Sequence, residues 1–226
     1  MEGLRKSNGN VSSDRIKQLV EERILSGHYT PGYKLNERDL AFEFNVSRTP
    51  IRDIIARLSA EGLVEHKPRQ GAYVKKNSIK DVLNWLEILA VLESSCARMA
   101  ARFGNCDDAI SLMSLADHTV FVSNAQDQSS YTKSNSDFHE KLYEMSNNDA
   151  LIDLVKDIRR KIEPYREHIH RIAGMTSVSA REHLSVAKAI SERDESKAAD
   201  LMFHHLDMQR KEFMPFVLTL SKTLGS

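Results

Sequence analysis

The stretch Val46-Ser47-Arg48-Thr49-Pro50-Ile51-Arg52-Asp53-Ile54-Ile55-Ala56-Arg57-Leu58 constrains this chain more than any other. Ile51, Ile54, Ile55 and Leu58 recur at the spacing of one buried helical stripe. Pro50 falls in the first turn, where its missing N–H costs nothing. Ser47 stands where a side-chain oxygen can accept a free N–H of that turn as a cap. Arg48, Thr49 and Arg52 lie off the stripe near the helix N-terminus, the place from which a recognition helix reaches base edges and phosphates. An ordinary amphipathic helix with a solvated basic face has the same pattern, so the flanking segments must decide.

Residues 1–11 are polar and expected to be disordered. Ser12 or Ser13 can cap a first helix, with Ile16, Leu19, Val20 and Ile24 as its apolar stripe and Gly27 past its end. Tyr29-Thr30-Pro31-Gly32 is a turn signal. Asn36 starts a second helix, with Asp39 three positions on in a capping-box-like arrangement and Leu40, Ala41 and Phe44 facing inward. Arg38 sits in its first turn, against the preference for acids there, which points to an anion outside the chain. Asn45-Val46 leaves room only for a short turn, so the pair reads as helix-turn-helix. After Glu61-Gly62, two short strands, Leu63–His66 and Ala72–Val74, flank Lys67-Pro68-Arg69-Gln70-Gly71. A basic hairpin directly after a recognition helix reads as a wing, whose tip enters the minor groove or follows phosphates.

The formal net charge is zero, but it is unevenly divided. Residues 1–76 hold 14 Lys and Arg against 10 Asp and Glu, a balance of +4; the remainder holds 18 against 22, a balance of −4. Such asymmetry suits a basic binding module joined to an acidic partner domain.

Gly27, Pro31-Gly32, Leu35, Glu37, Leu40-Ala41, Val46 to Pro50, Arg52, Leu58, Glu61-Gly62-Leu63 and Arg69 to Val74 together resemble the winged-helix domain of GntR-type bacterial transcription regulators. In that family, arginines matching Arg38, Arg48 and Arg52 contact DNA, with Thr49 and the wing-tip glycine matching Gly71; the resemblance implies the same roles here. Arg48 and Arg52 suit guanine O6 and N7, each worth roughly 1–3 kcal/mol of discrimination. Arg38, Lys67 and Arg69 suit phosphate, and Gln70 completes the wing tip.

Lys75-Lys76-Asn77 reads as a linker, dividing a DNA-binding domain at 12–76 from a second domain at 77–226. From Ser78 onward the pattern is helical. Ser78 with Asp81 suggests a cap for a helix running to about Arg102, and Gly104-Asn105 breaks it. Further helices are expected over 107–123, 127–146, 149–162, 165–173, 177–192 and 195–222, making a bundle of six or seven. The fold class is therefore mainly α: a winged helix-turn-helix with a small β-hairpin wing, then an all-helical bundle.

Eight of the nine histidines follow residue 60. Asn135 and His139 lie four apart on one helix and share a face. His183 and His205 fall on two later helices, and a bundle can converge such groups on one interior point. His204 competes with His205, since neighbours on a helix differ by about 100° and only one faces inward. His168 and His170, among Arg166, Glu167 and Arg171, read as surface residues.

Asn135 to Leu142, Ser146-Asn147-Asn148, Glu182-His183 and Met202 to Leu206 resemble the all-helical FCD effector domain of the FadR-type branch of GntR regulators. In metal-binding members, an Asp or Asn and three histidines hold a divalent ion beside the effector. The matching residues are Asn135, His139, His183 and His205, a set suited to Zn²⁺, Ni²⁺ or Mn²⁺. Asn in place of Asp removes a negative charge and should weaken metal affinity. Many members also carry an arginine four residues before the glutamate matching Glu93; here that position is Leu89. Arg98, Arg102 and Arg159 are the remaining candidates for holding an effector carboxylate.

These readings imply a homodimeric regulator, expected to be a repressor. It would bind near-palindromic double-stranded operator DNA and respond to a small metabolite, an organic acid by expectation. No run of about 18 apolar residues exists to span a membrane, and no secretory signal is visible, so a cytoplasmic location is expected. Cys96 and Cys106 form neither a disulfide framework nor a paired zinc motif. The sequence has no His-Glu-x-x-His signature and no nucleophile in a recognisable setting, which argues against an enzyme.

Overall fold

The computed structural model describes residues 12–125, 127–170, 174–207 and 218. The expectation for residues 1–11 and those for His168, His170 and the far end of the last helix lie outside the described residues or side chains. The chain divides into two compact units, Met1–Lys76 and Asn77–Ser226.

The first unit is built from α1 (Ser13–Leu25), β1 (Lys34–Leu35), α2 (Glu37–Glu43), α3 (Arg48–Ala60), β2 (Val64–Lys67) and β3 (Gly71–Val74). Ser12 caps α1, its side chain accepting the Arg15 N–H, and Asn36 caps α2 by accepting the Arg38 N–H. Ser47 precedes α3 but makes no side-chain cap bond, contrary to the sequence expectation. The three helices pool Ile16, Val20, Ile24, Leu40, Ala41, Ile51, Ile54, Ile55 and Leu58 with Leu63, Val64, Ala72 and Val74 from the sheet. Burying each large aliphatic side chain contributes roughly 1.5–3 kcal/mol.

The sheet is antiparallel in the order β1-β3-β2, with Lys67 opposite Gly71 and Lys34 opposite Tyr73. β1 was not expected from the sequence. Two residues are too few for an alternating pattern, and β1 exists because β3 offers it a free edge. At the hairpin tip Gln70 N–H donates to the Lys67 carbonyl, and Arg69 stands at φ 61°. Pro68 and then a positive φ are the pattern of a type II turn. Gly71 follows at φ 106°, which L side chains rarely adopt.

The second unit consists, among the described residues, of α4 (Ile79–Phe103), α5 (Cys106–Asn124), α6 (Gln128–Ser146), α7 (Asp149–His170), α8 (Met175–Ser191) and α9 (Glu195–Leu206). Ser78 and Asp81 close the expected capping box at α4, and Asn105 and Asp108 close another at α5. At Gly104 an added Cβ would meet the Ala100 carbonyl oxygen at 2.7 Å, so the turn between these helices requires glycine. The helices expected at 149–162 and 165–173 are one: α7 runs through Pro164. A mid-helix proline loses one backbone bond, but Ile162 and Tyr165 on either side are fully buried, and their packing holds the helix together.

α4 is the spine of this bundle, packing against α9, α6 and α7, while α5 packs against α6 and α8. Leu86, Leu89, Ala90, Ala97 and Ala100 make its buried stripe, which Glu93 interrupts.

Candidate metal centre and nucleic-acid interface

Packing α6, α8 and α9 against α4 brings three histidines together. His139, His183 and His205 are buried, and one potential ligand atom from each lies within 4.8 Å of the other two. The ring centroids of His139 and His183 are 5.0 Å apart, those of His183 and His205 4.7 Å, and those of His139 and His205 5.7 Å. Phe138 stacks on His183 at 4.1 Å and fixes its plane. Nitrogens bound to one ion at about 2.1 Å stand at most about 4.2 Å apart, so a small side-chain rotation brings the three into ligating positions.

Asn135 lies one turn before His139 and is 2% exposed. Its Nδ2 has no hydrogen-bond partner. A buried unpaired amide costs about 1–3 kcal/mol, and O and N of such an amide exchange by a simple flip. An amide turned to put its oxygen on the histidine cluster supplies the fourth donor, so the residues present fit a divalent ion. His204, the competitor, is exposed.

Beside this cluster lies a second buried group. Glu93 of α4 is fully buried, and its Oε1 accepts from Arg159 Nη1 of α7 at 2.9 Å. The Tyr143 hydroxyl donates to the same oxygen, and Arg159 also donates to the Tyr143 oxygen. Glu93 Oε2 lies 2.9 Å from His139 Nδ1, although the two are out of hydrogen-bond alignment. Burial pushes the Glu93 carboxyl up, but His139 and Arg159 outweigh it and hold the group well below the usual carboxylate range. Burial lowers His139 to about 3 despite the pull of Glu93. His139 is therefore neutral near pH 7, and Arg159 is the cation that balances Glu93 there. Burial also raises the Tyr143 hydroxyl, which stays protonated.

Of the three arginines the sequence left open, only Arg159 reaches this group. Arg98 is exposed, and Arg102 pairs with Glu195 at 2.6 Å on the surface. Tyr143 and the pairing of Glu93 went unread in the sequence. The available signals were an acid in the apolar stripe of α4 and a tyrosine four residues after His139.

In the first unit, Arg38, Arg48, Thr49 and Arg52 are all exposed, as are Lys67, Arg69, Gln70 and Gly71 at the wing. Glu37 Oε2 accepts from Arg52 Nε at 2.9 Å and lies 4.0 Å from Arg48 Nη2. This acid holds Arg48 and Arg52 of α3 side by side. Lys67 Nζ sits 4.9 Å over the Tyr73 ring, which steadies it at the wing. Such a surface offers fixed cations to a phosphate backbone and planar donor forks to base edges.

A winged helix-turn-helix carrying these cations, with a helical bundle in the same chain, is the architecture of a DNA-binding transcription regulator. Residues 12–74 match the family model described as bacterial regulatory proteins, gntR family, and residues 84–208 match the FCD domain. The chain belongs to the GntR family of transcription regulators, in its FadR-type branch with an FCD effector domain, and is not an enzyme. It is 24% identical over 195 residues to the HTH-type transcriptional repressor RspR of Escherichia coli (strain K12), covering 86% of this chain and 85% of that protein. It is 29% identical over 228 residues to the Uxu operon regulator of Haemophilus influenzae, covering 90% and 84% respectively. Among solved structures, E. coli McbR/YncC superposes with a TM-score of 0.75 at 15% identity, over 93% of this chain and 97% of that one, a likeness of fold. No helix among the described residues is long and apolar enough to cross a membrane.

Proposed function

We propose that this regulator binds operator DNA as a homodimer, and that an organic acid bound next to a divalent ion in the helical domain modulates that binding. The observation that carries this reading is the convergence of buried His139, His183 and His205, with buried Asn135 one turn before His139 and Arg159 close by on Glu93. Three imidazoles and an amide oxygen suit Zn²⁺, Ni²⁺ or Mn²⁺. When bound, the ion supplies a Lewis-acid seat for a carboxylate oxygen. Arg159, held in place by Glu93 and Tyr143, is the nearby cation that would face the carboxylate's charge.

On the DNA side, Arg48 and Arg52 read base edges and Thr49 supports them, while Arg38, Lys67 and Arg69 hold phosphates. Gln70 and Gly71 let the wing tip approach the groove. Arg69 supports this assignment: a non-glycine residue held at positive φ on an exposed tip is strain of the kind that collects at functional sites. The similarity to a repressor favours repression as the sense of control. The organic acid acts only by its differential affinity for two arrangements of the DNA-binding units.

The test combines two variants. Arg48→Ala is expected to abolish specific binding to the DNA upstream of the protein's own locus while leaving metal content unchanged. His139→Ala/His183→Ala is expected to lose the metal and the thermal shift given by a panel of organic acids. Specific DNA binding retained by Arg48→Ala would sink the recognition-helix assignment. Unchanged metal content and acid response in the double variant would sink the centre.

A further inference from the structure

The second feature of the histidine cluster is what stands behind it. An imidazole can ligate through either ring nitrogen, and the nitrogen it uses is set by the hydrogen bond the other makes. Glu182 Oε2 lies 2.9 Å from His205 Nδ1 in hydrogen-bond geometry. Glu182 is the residue before His183, about 100° around α8 from it. One dipeptide of α8 therefore sends an imidazole into the cluster and a carboxylate to the back of the imidazole that arrives from α9. His205 is 6% exposed, so water has little access to compete for Nδ1.

From this geometry we infer that Glu182 is a positioning residue for the metal centre: its carboxylate accepts the Nδ1–H of His205 and so commits that ring to ligation through Nε2. The inference rests on the metal reading above and goes beyond its four donors. A carboxylate behind a ligating imidazole fixes the tautomer, restrains ring rotation and raises the basicity of the opposite nitrogen. It also separates His205 from His204. The two are adjacent on α9, but His204 is exposed, whereas the ring held by Glu182 is buried in the cluster. Nothing in this role depends on what the other oxygen of Glu182 meets. Glu93 stands at the same distance from His139 Nδ1 but out of line, and its other oxygen is taken by Arg159 and Tyr143. Glu182 is thus better aligned on its imidazole than Glu93 is.

The experiment is a Co²⁺ titration of the full chain, followed by ligand-field absorption and by competition with a chelator, on wild type, Glu182→Gln and Glu182→Ala. Glu182→Ala is expected to weaken Co²⁺ binding about 10- to 100-fold, as loss of such a partner typically does. Glu182→Gln, whose amide oxygen still accepts the Nδ1–H, is expected to recover most of it. Long-range ¹H–¹⁵N spectra of the Zn²⁺-loaded wild type should show His205 protonated at Nδ1 and bound at Nε2, a readout independent of the variants' folding. Unchanged affinity in Glu182→Ala, a glutamine variant as weak as the alanine one, or ligation through Nδ1 of His205 would each overturn the inference while leaving the metal reading intact. Wild-type protein that takes up no Co²⁺ would instead overturn the metal reading and this inference with it.

Discussion

Glu93 shows how one side chain sets the terms for its neighbours. It is an acid in the apolar stripe of α4, with no exposure, and it persists because Arg159 and Tyr143 satisfy one oxygen. Removing one member of a buried ion pair leaves the other charge uncompensated, at a cost of about 3–5 kcal/mol. Glu93→Ala is therefore expected to lower the melting temperature by about 10 °C, at roughly 2–4 °C per kcal/mol for a chain of this size. Adding Arg159→Met should restore part of it, since the orphaned charge then disappears. A loss under about 2 °C in the single variant would show that Arg159 is not confined as described. Cys96, one turn along α4, reports on the same interior. Burial and then Glu93 push its thiol up to about 12. At pH 8 a thiol reagent should label the exposed Cys106 alone in the native protein and both cysteines after denaturation; two fast-reacting native thiols would contradict the buried core. That Asn135 and His139 share a face of α6 was legible because spacing on a helix is a local property, whereas the grouping of His183 and His205 with His139 was implied by the family resemblance. Glu93's partners were not, because Arg98, Arg102 and Arg159 look alike in sequence and only the packing of α7 against α4 singles out Arg159.

The elements divide in the same way. The stripe of α3 was legible since each of its four apolar residues is buried at the expected period. Ser47, by contrast, looks like a cap in sequence but makes no cap bond, because capping also depends on a rotamer that sequence leaves open. Separate helices were expected over 149–162 and 165–173, yet Ile162 and Tyr165 hold α7 together across Pro164; tertiary packing overrode a local preference. The wing carries a prediction of its own. Arg69 occupies left-handed backbone, which costs a non-glycine residue roughly 1–2 kcal/mol. Arg69→Gly relieves that strain but gives the unfolded chain more freedom, so stability is expected to change by less than about 1 kcal/mol. DNA affinity should nevertheless fall, and the slope of log K against log salt should drop by about 1 as one phosphate contact is lost. Unaltered salt dependence with full affinity would remove Arg69 from the interface.

At the scale of the whole molecule, the chain joins a DNA-binding unit to a unit with a candidate metal centre, and regulation requires that the two share free energy. The charge division, +4 and −4, keeps the cations where DNA is to be met. Function then turns on linkage rather than on either site alone. If occupancy of the histidine centre changes operator affinity by some factor, operator DNA must change metal affinity by the same factor. Couplings of this kind typically amount to about 1–3 kcal/mol, or roughly 5- to 150-fold. Zn²⁺ affinity, measured by chelator competition with and without saturating operator duplex, is therefore expected to differ by the factor that Zn²⁺ produces in the duplex's own binding curve. The His139→Ala/His183→Ala variant should show neither effect. A centre that only braces the bundle gives a different result: Zn²⁺ raises the melting temperature, by about 2.7 kcal/mol of stabilisation at a hundredfold excess over Kd, yet its affinity is the same on and off DNA. Equal Zn²⁺ affinities in the two measurements would assign the metal a structural role and take it out of the proposed signal.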